Sequence, residues 1–180
     1  MKHPLHILIV LVFYLLGASL TAQESDVIKE YLERFENSKK YLLEVANAMP
    51  EEKYDYRPAR ESLSFAENLM HIGYAMDWHT QSLLGGRESR NWNTDTRYKV
   101  ADKSKEEIIN VVKETFQETI DFIKEFDITQ FDEELDYFGF NRTKRQIFLL
   151  LTDHIAHHRG QITVYLRLNG QVPPRYVLFQ

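Results

Sequence analysis

Apolar residues at Ile28, Tyr31, Leu32, Phe35, Leu42, Val45, Ala46 and Met49 recur at intervals of three and four, which places them on one face of a helix. The pattern predicts a first helix from about Ser25 to Met49. Pro50 and the polar run Glu51-Glu52-Lys53 end it, and Arg57-Pro58 keeps the linker extended, because the residue before a proline avoids helical geometry. Ser64 with Glu67 has the form of a capping box, and Phe65, Leu69, Ile72, Met76, His79 and Leu83 continue as the stripe of a second helix that Gly85-Gly86 closes.

From Arg87 to Lys103 no period is sustained, and a connection this long suits a crossover over the fold. Ser104 with Glu107 repeats the capping box and opens a third helix, with Ile108, Val111, Val112, Thr115, Thr119, Ile120, Ile123 and Phe126 on its apolar face. The aromatic and acidic stretch from Phe131 to Asn141, with a turn at Gly139, reads as a loop or a short extended excursion. Thr143 with Gln146 caps a fourth helix. Its stripe carries Ile147, Leu150, Leu151, His154, Ile155, His158, Ile162, Tyr165 and Leu166, and Asn169-Gly170 and Pro173-Pro174 stop it. Four long helices without an alternating strand pattern predict an all-α four-helix bundle, and the long second connection lets helices two and three run parallel, in up-down-down-up order.

Ahead of the bundle stand Met1-Lys2, an apolar run from Ile7 to Leu16, and the small and polar stretch Gly17 to Gln23. This is the form of a secretory signal peptide, residues 1–22, too short to span as a membrane helix and cut after Ala22. The alternative is an uncleaved anchor or a buried first helix. On the first reading residues 23–180 form one exported domain, periplasmic or secreted, with no membrane span left after cleavage, and His3 and His6 are removed with the leader.

The length of 180 residues and the 43% hydrophobic content are enough for one domain with a sizeable core. A net charge of −5, with Lys and Arg scattered rather than striped, argues against nucleic acid as a partner. The chain has no cysteine, so disulfides, thiolate metal sites and thiol nucleophiles are excluded and any metal must be held by nitrogen and oxygen.

His154 and His158 lie four apart on the fourth helix, one turn above each other, and can converge on one ion. Two imidazoles in a core seam need hydrogen bonds or a metal, and two satisfied core histidines remain the alternative to ligation. His71, near the middle of the second helix, is the natural third ligand. Three neutral imidazoles leave positions open on a divalent ion: zinc first on ligand chemistry, with nickel, iron or manganese also able to occupy such a site. His79 lies more than two turns beyond His71 and is read as pocket-lining or core; His157 points about 100° away from His158 and is read as surface or interface. Glu67, one turn before His71, is either the helix cap or a general base. The zincin glutamate after the first histidine, a Gly-rich phosphate loop and a Gly-x-Ser-x-Gly elbow are all missing.

The run His154-Ile-Ala-His-His158-Arg-Gly-Gln161, ending through Asn169-Gly170 and Pro173-Pro174, resembles the closing signature of the DinB family. Tyr54-Asp-Tyr-Arg-Pro58 and Ser64 to Ile72 are similar to its earlier pattern, so the resemblance covers nearly all of the mature chain. It implies His71, His154 and His158 as a metal triad, Arg159, Gly160 and Gln161 as motif residues beside it, an up-down-down-up bundle, and homodimers paired through helix faces. The activities it implies are thiol transfer with bacillithiol or similar small thiols, mycothiol-dependent isomerisation and metal-dependent hydrolysis. An export signal sets this chain apart from the transferases, whose thiol cofactors are intracellular. Two readings follow: a metal-dependent transferase or hydrolase acting on a small molecule, or a non-catalytic metal-binding or interaction protein of the cell envelope.

Overall fold

The computed structural model describes the backbone of residues 3–91 and 93–176 and the side chains of residues 26–91 and 93–176. The leader expected at 1–22 falls outside the residues described with their side chains. Helix α1 (His3–Ala48) begins well before Ser25, and no proline between Pro4 and Pro50 interrupts it. Its side chains at Tyr31, Phe35, Leu42, Val45, Ala46 and Met49 are buried, the face that the three-and-four spacing marks. Among the described residues no helix is long and apolar enough to cross a membrane.

Helices α2 (Phe65–Asp77), α3 (Lys105–Glu125) and α4 (Lys144–Leu168) each start at a reciprocal capping box, at Ser64 with Glu67, Ser104 with Glu107 and Thr143 with Gln146. In the first, the Ser64 hydroxyl accepts from the Glu67 amide at 3.1 Å and the Glu67 carboxylate accepts from the Ser64 amide at 2.8 Å. Two donors with no helical partner are satisfied at each start.

Helix α2 does not run on as α-helix to Gly85. From Trp78 to Leu84 it widens into a π-helical turn, in which one more residue is needed per turn. The expected stripe slips accordingly: Leu84 is buried, whereas Leu83 is only half-buried. The stretch after α3 contains a two-stranded antiparallel hairpin, β1 (Glu134–Tyr137) and β2 (Phe140–Thr143), in the register Glu134 opposite Thr143 to Tyr137 opposite Phe140. Its turn residues Phe138 and Gly139 have φ of 54° and 83°, the left-handed pair that a two-residue hairpin requires. Gly139 adopts this freely; Phe138 does so at a cost of about 1–2 kcal/mol.

Contacts between helices fix their directions. The Lys105 ammonium at the start of α3 reaches the Asn47 and Met49 carbonyls at the end of α1, and Lys39 meets Gln117, so α1 and α3 are antiparallel. Gly73 lies near Thr115, and Gly85 near Phe122, so α2 and α3 are parallel. Tyr165 reaches the Leu63 carbonyl while His158 meets Asn68, so α2 and α4 are antiparallel. Tyr31 packs on Phe148 and Ser38 on Arg159, so α1 and α4 are parallel. The four-helix order is up-down-down-up around a core that includes Phe35, Phe65, Phe116 and Phe148.

The long connection from α2 to α3 carries no helix or strand among its described residues and is held by side chains. Arg87 and Arg90 converge on the buried Asp77 carboxylate, Arg90 also donates to Asp95, and Arg97 pairs with Glu118. Tyr98 is buried and bonds the Thr115 hydroxyl at 3.0 Å. Its ring lies so close to Gly73 that a Cβ there would meet it at 3.0 Å, which explains the absence of a side chain at that point of α2.

Candidate metal centre

Because α2 and α4 run antiparallel in contact, His71 on α2 faces the turn of α4 that carries His154 and His158. The ring centroids are 4.9 Å apart for His71 and His154, 4.5 Å for His71 and His158, and 4.6 Å for His154 and His158. One nitrogen from each ring lies within 4.8 Å of the other two, and among the described residues no carboxylate joins the group. Metal–nitrogen bonds are about 2.0–2.1 Å, so the nitrogens would have to draw in somewhat to share one ion. Three such rings could hold a divalent ion.

The chemistry of the donors suits one. Burial disfavours the charged form of all three imidazoles, and the neighbouring imidazoles push in the same direction at two of them. His71 is lowered, His158 is lowered to about 4 and His154 to about 3. All three are therefore neutral near pH 7, with lone pairs available. The Nε2 atom of His154 is buried without any hydrogen-bond partner, a situation that native proteins rarely leave uncompensated.

His158 is oriented by a residue that the sequence pattern did not single out. Asn68, fully buried on α2, donates from Nδ2 to the Ser64 carbonyl at 2.9 Å and to the Leu63 carbonyl at 3.3 Å. Carbonyls only accept, so the amide orientation is fixed and Oδ1 faces His158 Nδ1 at 2.9 Å. His158 must then carry its proton on Nδ1, which leaves the Nε2 lone pair for a ligand role, the arrangement typical of metal-binding imidazoles. The one signal in the sequence was position: Asn68 lies three residues before His71 on the same side of α2.

The other candidates divide clearly. Glu67 is the cap, with one carboxylate oxygen on the Ser64 amide and the other accepting from Arg57 at 2.7 Å, and these bonds hold its carboxyl below the usual range. His79 is buried, with Nδ1 donating to the Ala75 carbonyl at 2.7 Å and Nε2 accepting from the Tyr137 hydroxyl at 3.0 Å, so both nitrogens are engaged. His157 is exposed and takes a bond from Gln161. Arg159 does not sit beside the triad: it is buried toward α1, donating to the Ser38 hydroxyl and lying against the rings of Tyr41 and Tyr176.

A cavity of about 330 Å³ opens on the triad, with His71 and His154 in its wall beside Trp78, Tyr137 and Phe138. The hairpin thus borders the approach, whereas none of the described residues of the 87–103 connection lines it, and that connection packs against α2 and α3 through Tyr98.

The depressed imidazoles carry a consequence for the metal-free protein. Histidines in the unfolded chain titrate near 6.5, above their folded values, so the stabilisation is complete above about pH 6.5 and is lost as pH falls through the folded values. Urea midpoints are expected to be level between pH 7 and 8 and to drop steadily from about pH 6 to 4, the drop shrinking when His154 is replaced by glutamine.

The model of the DinB family matches residues 21–179. A Bacillus subtilis protein, YjoA, is 28% identical over 131 residues, 71% of this chain and 80% of that one. Its crystal structure, described as a DinB-like protein, superposes with a TM-score of 0.65 at 26% identity, covering 81% of this chain and 95% of the other. A DinB-like protein from Bacillus cereus shares the fold at a TM-score of 0.66 and 18% identity, covering 82% and 95%. Since the matched span takes in the three capped helices, the part of α1 that packs in the core and all three clustered histidines, the chain belongs to the DinB family.

Proposed function

We propose that this protein binds one divalent metal ion, zinc first, through His71, His154 and His158, and that it is a metal-dependent transferase or hydrolase acting on a small molecule. The observation that carries the reading is the unpartnered His154 Nε2 amid two other neutral imidazoles, at the wall of an open cavity. When bound, the ion would supply Lewis acidity toward a polar atom of the substrate. The chain supplies the rest: Asn68 holds His158 in the right tautomer, His71 and His154 face the cavity, and the hairpin borders its approach through Tyr137 and Phe138. Export through residues 1–22 belongs to the same reading, as does the exclusion of nucleic acid by the scattered positive charge.

A second reading has one observation in its favour. Glu67 and His79, two groups that could have accepted a proton, are both committed to other bonds, which suits an ion that merely clips α2 to α4. The open cavity weighs the other way, because a structural site is normally closed.

Elemental analysis of untagged protein tests the shared premise. About one divalent ion per chain is expected, lost in His158→Ala, with removal by a chelator lowering the unfolding temperature. No metal in either form after reconstitution would overturn it.

A further inference from the structure

The wall of the cavity beside the triad is built from ring faces. Trp78 and Phe138 stack at 5.3 Å with 30° between their planes, Tyr137 meets Phe138 edge-on at 4.9 Å, and Tyr74 lines the same cavity one turn before Trp78. Neither Lys nor Arg is among the described residues that line it, so no cationic side chain favours an anionic group there.

The simplest account of such a cluster is packing that fastens the hairpin to α2. Tyr137 fits it, since its hydroxyl is bonded to His79 and its ring is half-buried. Phe138 does not. The residue is 73% exposed, so it gains little from burial, and it occupies a left-handed turn position where asparagine or glycine is the ordinary choice. What the phenylalanine does accomplish is to place a ring over the cavity, continuous with Trp78. The π-helical turn has the matching effect from the other side, since Trp78 and His79 stand at its start. The hydrogen-bond chain from the Ala75 carbonyl through His79 to Tyr137 holds the two sides together.

We propose that this vestibule recognises a substrate carrying an aromatic ring, held against Trp78 and Phe138 while a polar end of the same molecule reaches His71 and His154; the proposal rests on the metal reading above. A cavity of about 330 Å³ accommodates a ring with a short polar substituent and little more. Ring-on-ring contact supplies the selectivity, because offset and edge-on aromatic pairs gain beyond simple burial.

The test compares two chelating probes on the zinc-loaded protein by calorimetry: acetohydroxamate, with a methyl group, and benzohydroxamate, with a phenyl ring. Benzohydroxamate is expected to bind about tenfold tighter or better. In Phe138→Gly, which keeps the left-handed turn but removes the ring, the ratio is expected to fall to about threefold or less. A wild-type ratio under about threefold, or a ratio unaltered in Phe138→Gly, overturns the aromatic vestibule while leaving the metal reading intact. Binding of neither probe to protein that holds its zinc overturns the vestibule alone, whereas protein that takes up no zinc removes the metal reading, and this proposal with it.

Discussion

Replacing Asn68 with leucine is expected to weaken zinc binding by about 10- to 100-fold, the usual cost of losing the group that orients a metal-binding imidazole. Leucine has similar volume but accepts nothing from His158 Nδ1, so the ring is free to take the other tautomer and place its proton on Nε2. It also strips the Leu63 and Ser64 carbonyls of a side-chain donor. Asn68→Asp separates the two effects, because a carboxylate still accepts from His158 but donates to neither carbonyl. A competition titration against a chromophoric chelator should place the aspartate variant close to wild type and the leucine variant far below it. Equal affinity in all three proteins, with circular dichroism unchanged, would remove Asn68 from the site.

The second large effect is expected on stability, at the opposite face of α2. Asp77 is 1% exposed, and both Arg87 and Arg90 converge on its Oδ2 atom while Oδ1 has no hydrogen-bond partner among the described residues. Removing one side of a buried ion pair leaves charge without compensation and costs about 3–5 kcal/mol when the other side stays buried. Arg87 and Arg90 are 40% and 25% exposed and reach water, so Asp77→Ala is placed at the lower end, about 3 kcal/mol. The same variant should open the 87–103 connection to limited proteolysis, since two of its arginines lose their anchor. A denaturation midpoint within about 0.5 kcal/mol of wild type would show that Tyr98 and Arg97 hold the connection by themselves.

How far such features could be read in the sequence depended on whether their cause is local. The starts of α2, α3 and α4 were legible because a capping box needs only four consecutive residues, and Ser64, Ser104 and Thr143 each form one. His154 and His158 were legible because their spacing on a strongly periodic helix puts them one turn apart. His71 was placed by its depth on the facing helix and by the family resemblance, and it does join them. The hairpin was harder, because alternation is confined to the four residues Glu134 to Tyr137, too short a run to mark a strand, and its geometry owes much to the turn and to the contact of Phe138 with Trp78. The π-helical turn left no mark at all in the apolar spacing, which assumes one constant period. Asn68 and Asp77 read as ordinary polar positions until the histidine and the arginines that engage them are brought from 90 and about ten residues away.

The separation of the triad along the chain gives the site a further meaning. His71 and His154 are 83 positions apart, and the sequence has no cysteine with which to join distant segments. An ion captured by the two would close a long loop, and in a disulfide the closing of a loop of that order is worth roughly 4–5 kcal/mol through the freedom it removes from the unfolded chain. The imidazoles would serve as a reversible staple of a different kind: an ion that leaves as the chain unfolds stabilises the folded state through its affinity and concentration and not by restricting the unfolded chain.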